Sequence, residues 1–293
     1  METVVCFDIG GTAVKYGLLD LNGKILEKSS FDTNIKYSQE ILNNMSKIIN
    51  NYIVNKNVVG ISISSPGFVN TNTGEIVDGT IIEGFIGLNI KKYFEDKYKL
   101  PVAVDNDANC ATIAEHKLGN GTDCKNMVCV TIGTGIGGGI IINNEIYNGS
   151  KFMAGEFGFM FINGSENIYS NYASTRALVE KTSTDLDDEI DGKLIFEKAK
   201  LGNEVCIKNI NEFYDNLSIG IYNLAYILNP DKILIGGAIS QQEGLIDEVK
   251  KRLGMYSSSC SKNINEYVTI DKCKFLNDAG IIGSLCNFIA RCR

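Results

Sequence analysis

The chain has 293 residues, 44% of them hydrophobic and 22% charged, with a formal net charge of −7 at pH 7. This length allows a large core and about two domains, while the acidic balance argues against broad binding to nucleic acid or anionic membrane and favours small neutral partners. The N-terminus has no basic stretch followed by an apolar one, and no run of about 18 apolar residues occurs, so a cytoplasmic protein without a membrane partner is expected.

Three strands open the chain: residues 3–10 and 13–19 are apolar, and Asn22-Gly23 closes a hairpin into residues 24–31. Ile41, Leu42, Met45, Ile48, Ile49 and Tyr52 then recur at helical spacing. Residues 58–62 form the next strand, ending in the turn Ser64-Ser65-Pro66-Gly67, and a polar, glycine-rich span leads to a short helix over 90–98. The buried strand at 102–104 runs into Asp105, Asn106 and Asp107, a helix follows over 108–118, and 119–123 reads as a linker. A strand over 127–132 then restarts the opening pattern, since Cys6-Phe7-Asp8-Ile9-Gly10 aligns with Cys129-Val130-Thr131-Ile132-Gly133. In both copies a glycine turn leads to another strand, 13–19 or 139–142, and Asn143-Asn144 stands where Asn22-Gly23 stood. The repeat predicts two related domains facing each other. Residues 163–203 are polar and carry one clear helix, 173–181. A mostly apolar helix (212–228), a strand (232–235) running into Gly236-Gly237, an amphipathic helix (245–253) and a short strand (268–270) follow. The last helix, 279–289, has glycines at 280 and 283 and is expected to pack on the first domain. His116, the single histidine, is expected at the surface.

A strand that ends in carboxylates and amides presents rigidly held acceptors at a sheet edge, where α/β proteins place ligands. Asp107 is the candidate catalytic base, although Asp105 and Asn106 also suit a helix cap. Three glycine turns follow apolar strands: Asp8-Ile9-Gly10-Gly11-Thr12, Gly133 to Gly139, and Gly236-Gly237-Ala238. Backbone N–H groups converging in such turns bind phosphate oxygens. Gly133, Gly135 and Gly138 satisfy G-x-G-x-x-G, but residues 139–144 read as strand and hairpin, not as the helix that a dinucleotide site needs. Neither a P-loop nor a protein-kinase signature occurs. Asp8 beside a phosphate turn would repel phosphate unless a cation lay between, and Mg2+, which takes one or two carboxylates with phosphates and waters, fits that place. The nine cysteines include no C-x-x-C, and Cys260, Cys273, Cys286 and Cys292 lack close pairing, so reduced core thiols and no structural zinc are expected.

Asp8 to Thr12, Ser65-Pro66-Gly67, Asn106-Asp107-Ala108-Asn109, Ile132 to Gly139, Ala154-Gly155-Glu156 and Ile235-Gly236-Gly237 together resemble the ROK family of sugar kinases and sugar-responsive repressors, in register over almost the whole chain. The resemblance implies an α/β, ribonuclease H-like (actin-like ATPase) fold of two lobes around a cleft. The N-terminal α/β lobe would span 1–118, joined by the C-terminal helix 279–293, and the larger C-terminal α/β lobe 119–278. It also implies that Asp107 is the general base and that Asn106 and Glu156, with Gly67, contact the sugar. Gly10, Gly11 and Thr12, and Thr131, Gly133, Thr134 and Gly135, would hold the phosphates of ATP, and Gly237 would line the adenosine side. Asp8 would hold Mg2+ through phosphate or water. Lys15 either adds positive charge near the phosphates or is a solvated strand residue.

Two departures from the family pattern bear on substrate. Where the family usually has a histidine after Gly158, this chain has Phe159; the cysteine-rich zinc cluster that follows is absent, and Ser170 replaces its sugar-contacting glutamate. The chain therefore resembles the zinc-less branch, which includes β-glucoside kinases and some N-acetylmannosamine kinases, and looks closest to the former. Phe159 and Ser170 leave a roomier, less charged wall that suits a substituted sugar. The expected activity is transfer of the γ-phosphate of ATP to a sugar hydroxyl, O6 of a glucosyl unit in a β-glucoside or glucose. N-acetylmannosamine kinase or fructokinase activity is the alternative within the family, and a non-catalytic sugar-binding regulator the alternative outside catalysis. A DNA-binding repressor is disfavoured because the first strand starts at Thr3. The family implies a homodimer.

Overall fold

Every residue of Thr3–Ile9 (β1) except Asp8 is buried, as befits the central strand of a sheet covered on both faces. The computed structural model describes all residues except 34–36, 163, 165–166 and 258–262. Two compact units are seen: Met1–Thr122 with Ile146–Ala154 and Asn277–Arg293, and Asp123–Glu145 with Gly155–Leu276.

In the first unit Ala13–Asp20 (β2) and Ile25–Asp32 (β3) form an antiparallel ribbon on β1, while Val58–Ser65 (β4) and Val102–Asn106 (β7) extend the sheet in parallel, in the order β3-β2-β1-β4-β7. A small hairpin, Phe68–Asn70 (β5) and Glu75–Asp78 (β6), follows β4. Alternate residues serve opposite faces. Val5, Phe7 and Ile9 pack with Ile41, Leu42, Met45 and Ile49 of the helix Ser38–Asn55 (α1), and Ile90–Tyr98 (α2) adds Ile90 and Phe94 to this core. On the other face Ser62 Oγ donates to Ser284 O at 2.6 Å, and Gly60 leaves room for the Phe288 ring, which a Cβ there would meet at 2.1 Å. Those partners belong to the C-terminal helix Ala279–Cys292, which also packs against Asp107–Leu118 (α3). Gly283 sets that approach: a Cβ would lie 1.7 Å from Cys110 O. A glycine in a helix interior costs roughly 0.5–1 kcal/mol. Burying each of Ile281, Leu285 and Phe288 contributes roughly 1.5–3 kcal/mol, so packing outweighs the two glycines.

The second unit repeats this topology. Met127–Ile132 (β8), Ile136–Ile142 (β9), Glu145–Ile146 (β10), Lys232–Gly236 (β11) and Thr269–Lys272 (β12) form a sheet in the order β10-β9-β8-β11-β12, with β8, β11 and β12 parallel. Asn143 and Asn144, at φ 53° and 69°, make the turn after β9. Helices Ser170–Ala173 (α4), Thr175–Leu186 (α5), Gly192–Lys200 (α6), Glu204–Leu228 (α7) and Leu245–Tyr256 (α8) complete the unit, so that the C-terminal helix is α9. The eight described cysteines are free, and all but Cys292 are buried.

Several elements differ from the sequence-based expectations. β4 runs on through Ser64 and Ser65, because these residues pair with Asp105 and Asn106. β9 starts at Ile136, not 139; Gly137 and Gly138 pair in the ladder, and Gly138 leaves space for the Phe157 ring, which a Cβ there would meet at 2.4 Å. The helix expected over 212–228 begins at Glu204, capped by Asn203, whose side chain accepts from Cys206 N; Cys206, Asn209, Ile210 and Phe213 supply its buried stripe between polar residues. The expected 173–181 helix is α5, which starts at Thr175 behind its cap Ser174 and follows the separate turn of α4, and α6, β5 and β6 arise where no element is expected. His116 is buried, not at the surface, because tertiary packing encloses most of α3, its polar Asn109, Thr112 and Glu115 included, although the helix has no strongly apolar face of its own.

Two glycine substitutions separate close approach from helix propensity. Gly283→Ala should destabilise the protein by about 1–3 kcal/mol in urea unfolding. Gly254→Ala in α8, where the nearest atom to a Cβ is 3.6 Å away, should be neutral or stabilise by about 0.4–1 kcal/mol.

Candidate active site

The three parallel strands of the first unit end side by side. Asp8 of β1 pairs with Ser64 of β4, which pairs with Asp105 of β7, so the three lie in one row across the sheet. Ser64 Oγ donates to Asp8 Oδ1 at 2.7 Å, and Lys15 Nζ stands 3.5 Å from Asp8 Oδ2 while donating to Asn277 O at 3.2 Å. Lys15 is thus the partner of Asp8 rather than a purely solvated strand residue. A Cβ on Gly280 would lie 2.3 Å from the Asp8 carboxyl carbon, so the bare first turn of α9 makes room for this carboxylate. The following turn exposes Gly11 and Thr12 to solvent, with open space where a Gly11 side chain would stand. Gly10 N donates to Ala13 O at 3.0 Å and closes the turn.

Beyond the row, Asn106 caps α3: its Oδ1 accepts from Ala108 N at 2.9 Å and Asn109 N at 3.1 Å. Its Nδ2 donates to Gly67 O at 2.9 Å, and its side chain also hydrogen-bonds the Asp107 carboxylate. Gly67 sits at φ 98°, and a Cβ there would lie 2.6 Å from Asp78 O, so this turn needs glycine. Asp107 is the first residue of α3 and its side chain reaches solvent, with Oδ1 accepting from Ala108 N at 2.8 Å. Surrounding protein limits the hydration of its carboxylate and the negative charge of Asp8 adds to that, pushing the carboxyl from 3.8 up to about 6 against the opposing backbone hydrogen bonds.

The second unit holds the other glycine turns. Gly133, Thr134 and Gly135 are exposed between β8 and β9, and nothing would touch a Cβ on Gly133. Gly133 O accepts from Thr175 N at 2.9 Å, and Thr131, just before the turn, pairs with Gly236. Gly237, at φ 87°, lies against the end of β8, where a Cβ would be 2.0 Å from Ile132 O. Next to this turn is a cavity of about 480 Å³ lined by Thr175, Gly192, Lys193, Phe196, Ile239 and Gln242, among others. Its size falls within the roughly 300–1,000 Å³ of small-molecule clefts. Most of this wall escapes sequence reasoning because α6 does; only Gly237 marks it. Half-buried Glu156 leads a 3-10 turn, Phe157–Phe159, in which Phe159 is exposed. Ser170 is buried, and its Oγ accepts from Ile136 N at 2.9 Å, which makes it a brace for the start of β9. Among the described residues no group of three or more His, Cys, Asp or Glu could hold a metal ion, and no helix is long and apolar enough to cross a membrane.

The ROK family model matches residues 4–290, and the chain belongs to the ROK family. It is 37% identical to a β-glucoside kinase of Listeria monocytogenes, over 98% of this chain and 97% of that protein. Among solved structures, a ROK family protein of Streptococcus pneumoniae in complex with sucrose is similar with a TM-score of 0.88 and 32% identity, covering 98% of each chain. A ROK family glucokinase of Streptomyces griseus in complex with glucose and AMPPNP is similar with a TM-score of 0.82 and 26% identity, covering 97% of this chain and 98% of that one. The fold is thus the ribonuclease H-like fold of the actin-like ATPases.

The raised Asp107 carboxyl makes a stability prediction. Between pH 3.8 and about 6 the folded protein holds a proton there that the unfolded chain releases, so this contribution is full below the lower value and is lost as pH rises through the upper one. Urea unfolding from pH 4 to 8 should show Asp107→Asn gaining on the wild type as pH rises and at least matching it above pH 7.

Proposed function

We propose that this chain transfers the γ-phosphate of ATP to O6 of a glucosyl sugar, a β-glucoside or glucose, with Asp107 as general base. It is a carbohydrate kinase of the ROK family. The observation that carries the residue assignment is the placing of a solvent-reaching carboxylate at a strand-to-helix junction near the carboxylate of Asp8, where limited hydration and that charge push it up to about 6. Such a group is ionised at neutral pH yet basic enough to take a hydroxyl proton.

Phosphoryl transfer asks little covalent chemistry of a protein; positioning and electrostatic stabilisation do most of the work. In this reading the proton of the sugar hydroxyl passes to Asp107 Oδ as the hydroxyl oxygen bonds to the γ-phosphorus and ADP leaves. The turns Gly10-Gly11-Thr12 and Gly133-Thr134-Gly135 hold the phosphates through the backbone N–H groups of Gly11, Thr12, Thr134 and Gly135, while Gly10 N and Gly133 N close the turns on Ala13 O and Gly135 O, with Thr131 at the base of the second turn. The open space beside Gly11 and Gly133 supports this assignment, since a cradle for phosphate must be free of side chains. The cavity next to Gly237 takes the adenosine. Asp8 fits a role in holding Mg2+ through phosphate or water, where the ion would offset phosphate charge. Lys15 shares that role from its place beside Asp8. Glu156 and Asn106, with Gly67 fixing the Asn106 amide, contact the sugar. Ser170 braces β9 in place of gripping the sugar, and the exposed Phe159 favours a substituted glucosyl unit over a small polar one. We extend the reading to a cytoplasmic homodimer without zinc, nucleic-acid or membrane partners, a composition in keeping with the net charge of −7.

ADP release measured with cellobiose, glucose, fructose and N-acetylmannosamine tests the proposal. Release should require sugar and be fastest with cellobiose or glucose; silence with every sugar would favour a non-catalytic binder. Asp107→Asn should bind sugar normally and lose about 10²–10⁴-fold in kcat. The wild-type kcat/KM should rise with pH through about 6 and level off above, because the base must be ionised. Gly133→Ala should leave stability within about 0.5 kcal/mol and raise the KM for ATP.

A further inference from the structure

Asp105 is fully buried, and the mechanism above gives it no task. Its Oδ1 accepts from Asn106 N at 2.8 Å and from Asn109 Nδ2 at 3.1 Å, while Arg291 Nη2 of α9 stands 3.8 Å from Oδ2, which has no hydrogen-bond donor. Burial pushes its carboxyl up to about 6. Asn109, 5% exposed, also donates from Nδ2 to Asn148 Oδ1 at 3.0 Å, and its own Oδ1 has no partner. Helix capping does not explain this arrangement, because Asn106 already accepts from both Ala108 N and Asn109 N. Burying a carboxylate with one oxygen unsatisfied is unfavourable by itself, so the arrangement is better explained by geometry than by stability.

We infer that Asp105, Asn109 and Asn148 are positioning residues that fix the turn carrying Asp107 and tie it to residues 146–154. The Asn109 to Asp105 hydrogen bond closes a short loop, 105–109, with Asp107 at its centre. Both protons of the Asn109 amide are engaged, which fixes the orientation of that side chain. Residues 146–154 belong to the same compact unit as α3 and run directly into Gly155 and Glu156. The chain of bonds therefore links the proposed base with the segment that precedes the proposed sugar-binding glutamate. This inference rests on the kinase reading for its effect on turnover, but not for its effect on the backbone.

The polarity of the bonds supplies the test. Asn148→Asp retains an acceptor for Asn109 Nδ2 and should keep kcat within about twofold of wild type. Asn148→Leu removes it, and Asn109→Asp sets an acceptor against Asp105. Misplacement of a catalytic group by about 1 Å can cost on the order of 10²-fold. Accordingly, Asn109→Asp should lose about 100-fold and Asn148→Leu about tenfold in kcat, with the KM for ATP unchanged and the fold retained by circular dichroism. Amide exchange at residues 106–110 should be faster in Asn148→Leu than in Asn148→Asp. Equal exchange in these two variants overturns the inference whether or not the protein is active. Equal kcat in the two, in a protein whose wild type turns over sugar, overturns it while leaving the kinase reading intact. Wild-type silence with every sugar overturns the kinase reading alone, and the exchange comparison then decides the positioning role.

Discussion

Asp8 and Asp107 are held near enough that the charge of Asp8 disfavours ionisation of Asp107. Two carboxylates left to themselves would separate, so the surrounding structure must hold them. The register of three parallel strands brings Asp8, Ser64 and Asp105 into one row, and α3 begins where the third strand stops. α9 then secures both ends of the arrangement through missing side chains. Gly280 lies against the Asp8 carboxylate and Gly283 against the backbone of Cys110, so α9 packs closely behind Asp8 and behind the first turn of α3.

In the proposed reaction, the internal repeat supplies two kinds of phosphate contact. Both sheets have an antiparallel pair leading to three parallel strands, and both leave an exposed glycine turn after the first strand. In the first copy that strand carries Asp8; at the aligned position of the second copy stands Thr131. A carboxylate beside one turn and a neutral hydroxyl beside the other suit a cation-assisted phosphate contact and a direct one, respectively. The second unit adds the cavity beside Gly237, and the first adds Asp107.

Much of this was legible in the sequence where an apolar strand stops abruptly at a polar or glycine residue. β1, β7, β8 and β11 are such strands, and the site residues sit at their ends. The repeat was legible for the same reason, since matching strands end in matching turns. What stayed hidden depends on tertiary cover. α6 and the first half of α7 are polar overall, and their buried stripes are too narrow to stand out by composition. His116 reads as a surface residue because α3 has no strongly apolar face of its own, and its enclosure comes from tertiary packing alone. The roles of Asp105 and Ser170 needed coordinates, because a buried carboxylate and an ordinary capping residue look alike in sequence, as do a sugar contact and a brace for a neighbouring strand.

In the proposed reaction, limited hydration and the charge of Asp8 together poise Asp107 as a base near neutral pH, and everything proposed for turnover depends on that. The most direct test is a carbon-13 NMR titration of the Asp107 carboxyl, assigned by its loss in Asp107→Asn and repeated in Asp8→Asn. A midpoint near 6 in the wild type that drops when Asp8 is neutralised is the predicted result. A wild-type midpoint at the ordinary 3.8, or one that Asp8→Asn leaves unchanged, would contradict it.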